Sequence, residues 1–263
     1  MTAVVPLYGG ALRTQLPTTV GGRTVRFDDM SNLRQVPDHQ EVYSDVDCGC
    51  AVIIELLGLE ESVSSADLAA YHFSELAKAN GCSRIQLTPP TQNPDGTIPT
   101  TNYDAVVVVP PIALKDEACP HFPDGPINVA PEALDAPTTT GAQSALQKAP
   151  AAGGGGPVVD GKFVIEGKQL IAKYKRPADG ASASDEDEAR NEVYIGLAVI
   201  RLAAPIDTEI LVSVSAPLVL HPDSSEAKTM AAAGTAPLTA EQAQEVLRTV
   251  VAHLEVTRWS LFL

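Results

Sequence analysis

Aromatic side chains are scarce in this sequence, 5% of 263 residues, whereas 21 prolines and 19 glycines run through it. A chain of this length can bury a sizeable core, and 44% hydrophobic content makes a globular protein the expectation. The proline and glycine content implies that part of the length lies outside that core. Positive charge is also in short supply: 18 Lys and Arg against 33 Asp and Glu leave a formal net charge of −15. Such a surface repels phosphate backbones and anionic lipid, so nucleic acid and membranes are not expected partners, and a protein with a basic face is favoured. No apolar run is long enough to cross a bilayer. The opening MTAVVPLYGG has neither the basic and apolar regions of a secretory leader nor the Arg- and Ser-rich character of a transit peptide. Four cysteines (Cys48, Cys50, Cys82 and Cys119) are too few and too unevenly spaced for a disulfide framework, so a reducing cytosolic or nuclear compartment is expected.

What is present falls into regular stretches separated by two interruptions. VVPLYGGALRTQLP places apolar residues on both sides of Gly9-Gly10, which suits a hairpin. CAVIIELL, Cys50 to Leu57, reads as a strand buried on both faces. SSADLAAYHFSELAKANG predicts a helix, with Ser64 and Asp67 at its start, Leu68, Tyr71, His72 and Leu76 on one face, and Gly81 ending it. SRIQL and YDAVVVV are short strand-like runs separated by the turn-rich TPPTQNPDGTIPTTN.

From 110 to 157 proline, threonine, alanine and glycine dominate. That composition has too little apolar surface to offset about 1–2 kcal/mol of backbone entropy per residue, so a mostly disordered insertion is expected. A second interruption, 177–191, carries the acidic block Asp185 to Glu188 and suits a solvated hairpin loop. KFVIEGKQLIAKYK, EVYIGLAVIRL and TEILVSVSAPL are three β-rich runs, the last two linked closely enough around Pro205 to be adjacent antiparallel strands. A final helix is signalled by the capping box of Thr239 and Gln242 and by the stripe Val246, Leu247, Val250, Val251 and Leu254. Two helices and a largely antiparallel sheet predict an α/β sandwich (α+β) in one domain spanning 1–263.

Candidate chemistry is thin. Gly156 to Lys162 has the G-x-x-x-x-G-K spacing of a phosphate-cradling loop, but Phe163 follows where Mg²⁺ binding needs Ser or Thr, and a strand follows where a helix should open. Cys48 and Cys50 lack a second ligand pair for zinc, and His72 reads as a hydrogen-bonded core imidazole. No serine lies in a G-x-S-x-G elbow. No catalytic residue, metal or cofactor is therefore assigned. The remaining feature is an acidic cluster running from Asp28 to Glu61, in which Glu55 interrupts an apolar strand; an unpaired buried carboxylate is costly, so it must reach solvent or a partner.

LYGGAL, LRQVPDHQEVY, IIELL, YHF and GKQLIAK, in this order, resemble the Ran guanine nucleotide release factors, the Mog-type Ran-binding proteins. The resemblance implies a PsbP-like fold, a curved and mostly antiparallel sheet flanked by helices in an α/β/α sandwich. It also implies a protein that binds the small GTPase Ran, promotes release of its guanine nucleotide and supports nuclear protein import, in nucleus and cytoplasm. A monomer is expected, with a second Ran-binding protein as an open further partner. Ran would contact acidic residues: Asp29 before the LR pair, Asp38 and Glu41 in VPDHQEV, and Glu55 in IIELL, with Asp47 and Glu60 added by clustering. The second acid that the family often carries three residues after Glu55 is Gly58 here, which leaves its part to Glu60 or Glu61. The alternative is a trafficking adaptor of the same fold that docks other proteins through the 110–157 insertion.

Overall fold

The computed structural model describes residues 1–91, 103–127, 129, 156–172 and 189–262. Its strands are β1 (Thr2–Leu7), β2 (Leu12–Pro17), β3 (Thr19–Val20), β4 (Arg23–Thr24), β5 (Asp28–Asp29), β6 (Gln40–Ser44) and β7 (Ala51–Gly58), followed by β8 (Ile85–Gln86), β9 (Ala105–Ala113), β10 (Gly125–Pro126), β11 (Val158–Ile171), β12 (Asn191–Ala203), β13 (Thr208–Val219) and β14 (Glu255–Val256). Three α-helices lie among the described residues: α1 (Leu68–Ala79), α2 (Ser225–Ala233) and α3 (Ala240–Ala252).

The large sheet runs β5-β6-β7-β13-β12-β11-β9-β8, with β10 on β11, and every neighbouring pair is antiparallel except β8 with β9. Its centre, β12, is apolar at successive positions because both faces are covered. Val193, Ile195, Leu197 and Val199 face α1 with its Leu68 and Phe73, while Tyr194, Ala198, Ile200 and Leu202 join the core that holds Val246, Leu247 and Val250 of α3. The hairpin β1–β2, joined by β14, adds Leu7, Leu12 and Leu16 to that second core. The result is the expected mixed α/β sandwich around a mostly antiparallel sheet, and the meander β11–β12–β13 pairs as anticipated.

Helix ends follow local chemistry. In α3, the Thr239 hydroxyl accepts from the Gln242 N–H and the Gln242 side chain accepts from the Thr239 N–H, a complete capping box. The Ser64–Asp67 pair instead closes a turn ahead of α1, with Ser64 Oγ donating to Asp67 Oδ2 at 2.7 Å, and the cap itself receives no side-chain bond. The buried face of α1 is centred on Leu68, His72, Phe73 and Ala77, so Tyr71 and Leu76 flank it. Gly81 ends the helix at φ 82°, with the Cys82 N–H donating to the Ala77 carbonyl.

Three expectations are corrected. The strand β7 is fully buried on one face only, at Val52 and Ile54; Ile53, Glu55 and Leu57 are half-covered because α1 lies over the other end of the sheet. The helix α2 was not anticipated: Ser224 caps it and Gly234 closes it in the left-handed region, but only Met230 is buried, so its apolar periodicity is weak. The insertion does not begin at 110. Pro110 and Pro111 lie inside β9, opposite Ile165 at a register shift, where β8 has already ended and no ladder bond is needed from them. Beyond them Cys119 and Phe122 are fully buried. Lys162, itself buried, clasps that segment through Asp116, Asp124 at 3.0 Å and the Phe122 carbonyl at 2.8 Å. Residues 128 and 130–155 of the insertion, the 92–102 turns and most of the acidic loop lie outside the described residues; β11 and β12, which that loop joins, pair as a hairpin.

Candidate functional site

The stretch Ser31 to His39 forms an exposed loop leading into β6 at the rim of the large sheet. Asp29 caps its first turn, Oδ1 accepting from the Ser31 N–H at 2.8 Å, and the loop closes with the Gln40 N–H donating to the Pro37 carbonyl at 2.9 Å. Asp38 therefore sits, exposed, on a turn at the sheet margin.

Alternation along β6 and β7 then distributes the acids. Glu41 shares a face with Tyr43 and its register partner Asp29, the side covered by the β1–β2 hairpin. Gln40 and Glu55 are opposed across the two strands on the other face, and Gln40 Nε2 donates to Glu55 Oε1 at 2.6 Å. Glu60 lies beside α1: its carboxylate accepts from the Ser62 N–H at 3.1 Å, the Ser62 hydroxyl at 2.6 Å and the Tyr71 hydroxyl at 3.4 Å. Those bonds, the Ser62 ones foremost, hold its carboxyl below the usual range.

Asp38, Glu41 and Glu55 thus lie at one end of the β6–β7 hairpin, on both of its faces, with Glu60 two residues past the end of β7 beside α1. Asp47 is exposed in the hairpin loop at the other end; five residues of β6, at roughly 3.3 Å each, set it ~17 Å away.

The sequence reading missed the residue that ties this end together. Tyr8, in the turn between β1 and β2, adopts φ 49°, a region rare for a bulky side chain. Its N–H donates to Glu41 Oε1 at 2.5 Å, and its hydroxyl lies 2.9 Å from the His39 carbonyl oxygen and 2.8 Å from that of Ile54. Burial pushes the Glu41 carboxyl up, the Tyr8 N–H partly offsets this, and Asp29 adds to the rise. Gly9-Gly10 was a legible turn signal; the clamp by its neighbour needs the tertiary fold.

Beneath Glu60 lies a buried ionic cluster. Glu209, fully enclosed, accepts from Arg201 Nη2 at 2.7 Å and from the Glu60 N–H at 3.0 Å, and lies 2.6 Å from His72 Nε2. Arg201 also donates to the carbonyls of Glu60 and Val63. His72 is thereby a hydrogen-bonded core imidazole, as read from the sequence, and Lys162 is engaged inside the fold, which removes the phosphate-loop reading. All four cysteines are buried, Cys48, Cys82 and Cys119 as free thiols, and burial pushes Cys48 up to about 12. Among the described residues no cluster of His, Cys, Asp and Glu could hold a metal ion.

The carboxylates at this sheet rim are of a kind that can accept charge-assisted hydrogen bonds from a basic surface. Residues 5–113 match the family model described as Ran-interacting Mog1 protein. A Ran guanine nucleotide release factor of Danio rerio is 43% identical over 75 residues, covering 28% of this chain and 37% of that protein. The nuclear import protein mog1 of Schizosaccharomyces pombe is 42% identical over 82 residues, covering 31% and 40%. The chain thus matches well under half the length of these relatives. The crystal structure of the Saccharomyces cerevisiae Ran-binding protein Mog1p superposes over 100% of this chain and 99% of its own, with a TM-score of 0.51 at 20% identity, so the fold is shared. These matches bear out the resemblance drawn from the motifs.

Proposed function

We propose that this chain binds the GTPase Ran and promotes release of its guanine nucleotide in support of nuclear import, in nucleus and cytoplasm. We also take it to fold as a single monomeric domain interrupted by its insertion, and to act without a chemical active site of its own. The observation that carries the reading is the family match over residues 5–113. That stretch contains the Tyr8 turn, the 31–39 loop, β6, β7 and α1, the elements that build the acidic margin. The names of the curated relatives support the same activity.

Release needs no bond chemistry. A release factor binds nucleotide-free Ran more tightly than loaded Ran, and by linkage bound nucleotide weakens the factor by the same ratio. A thousandfold ratio corresponds to about 4 kcal/mol, within reach of a few desolvated charge pairs. The net charge of −15 raises the association rate and makes binding salt-sensitive. Asp38, Glu41, Glu55 and Glu60 are the residues we assign to the Ran-facing surface, with Asp29 supporting the loop and Asp47 at its far limit. Charge reversal of Glu41 and Glu55 together is expected to abolish Ran capture in a protein that still folds. Wild-type release of a fluorescent nucleotide by that double variant would remove the assignment.

A further inference from the structure

Three stretches far apart in the chain, LYGGAL, VPDHQEV and IIELL, converge on the Tyr8 side chain and N–H. The hydroxyl bridges the two strands at the carbonyls of His39 and Ile54, the residues that adjoin Asp38 and Glu55 in sequence. The N–H takes one oxygen of Glu41. On the opposite face Gln40 takes one oxygen of Glu55. In both carboxylates the second oxygen receives no hydrogen bond from the described residues, so each acid is held by a neutral donor through one oxygen while its side chain stays partly exposed.

We propose that Tyr8 and Gln40 are the positioning residues of the partner-binding surface, the Tyr8 hydroxyl for the turn bearing Asp38 and its main-chain N–H for Glu41, and the Gln40 side chain for Glu55. The proposal rests on the Ran-binding reading above. Neither side chain carries charge, so neither contributes to long-range steering. What they supply is order: a carboxylate already fixed in its bound geometry spares the complex the freezing of a rotamer-rich side chain, worth roughly 2–12-fold in affinity for each. The positive φ of Tyr8 fits this role. A conformation disfavoured for a large aromatic is held by its bonds to the rim, and Gly9 and Gly10, at φ 63° and 81°, complete the turn without resisting it.

The test uses the full chain and immobilised nucleotide-free Ran. Gln40→Met, which keeps length and loses the donor, and Tyr8→Phe, which loses only the hydroxyl, are each measured for on- and off-rates across a salt series. Unfolding monitored by Trp259 fluorescence checks that they fold. The expected result is a 2–12-fold faster off-rate with the salt dependence unchanged, and no further loss when Gln40→Met is added to Glu55→Ala. Should Tyr8→Phe fail to fold, the Gln40–Glu55 cycle still decides. Additive effects of Gln40→Met and Glu55→Ala, or wild-type off-rates in Gln40→Met or in a folded Tyr8→Phe, would overturn the proposal while leaving Ran binding in place. Absence of Ran binding by the wild-type chain would instead overturn the reading on which it rests, and the proposal with it.

Discussion

Replacing Glu209 by Leu is expected to be among the most damaging single changes in this fold. The carboxylate is fully buried and serves three elements at once: Arg201 on β12, His72 on α1 and the backbone of Glu60. Burial alone pushes its carboxyl up, but hydrogen bonds from His72, the Glu60 N–H and Arg201 reverse that and hold it below the usual range. Its stabilising effect is therefore fully present at neutral pH and fades as pH falls through the lowered folded value. Without it, the Arg201 guanidinium stays buried with only the Glu60 and Val63 carbonyls as acceptors. An uncompensated buried charge of this kind costs about 3–5 kcal/mol, against a total stability of about 5–15 kcal/mol for a typical domain. At a denaturant slope of about 2 kcal/mol per M, the urea midpoint falls by ~1.5–2.5 M. Trp259, the single tryptophan and a buried one, reports the transition by fluorescence. The double variant Arg201→Met, Glu209→Leu removes both charges and is expected to recover much of the loss. A cost below about 1 kcal/mol for Glu209→Leu, or a double variant as unstable as the sum of the singles, would refute this reasoning.

Three further outcomes are expected. Asp104, held far below the usual range chiefly by Arg84, with Ser83 assisting, contributes stability that is present above the unfolded value near pH 4 and is lost as pH falls through the folded one; Asp104→Asn should flatten acid unfolding over that window. Gly167→Ala places a methyl against the Val106 carbonyl oxygen and 2.6 Å from Phe73 Cζ, so calorimetry should find a loss of about 1–3 kcal/mol or more. Glu41 is raised by burial, so Ran binding should weaken on mild acidification sooner than for an ordinary carboxylate, and Glu41→Gln should lack that dependence while binding weakly throughout.

Much of the fold was legible because local and tertiary signals agree in it. The capping box at Thr239, Gly81 at the end of α1, and the short link between β12 and β13 each act within a few residues. Features governed by distant partners were not. Pro110-Pro111 read as the start of a disordered segment, yet a bulge on a half-open strand accepts them, and Lys162, 46 residues from Asp116 in sequence, fastens the Asp116–Asp124 segment to the sheet. Helix α2 was obscured because its caps are good but its buried face amounts to Met230. At the rim, Asp38, Glu41 and Glu55 stood out by their motif and charge, whereas Gln40 and Tyr8 become visible only once the β6–β7 register and the hairpin contact are known. Sequence proximity also drew in Asp47, although the hairpin carries it to the far end.

The most direct test of the account is nucleotide release from purified Ran loaded with a fluorescent GDP or GTP analogue, with and without the full chain. Concentration-dependent acceleration of release, abolished by joint charge reversal of Glu41 and Glu55 in a folded protein, is the predicted result. Release at the intrinsic rate with both nucleotides, at concentrations where the chain is folded, would contradict it.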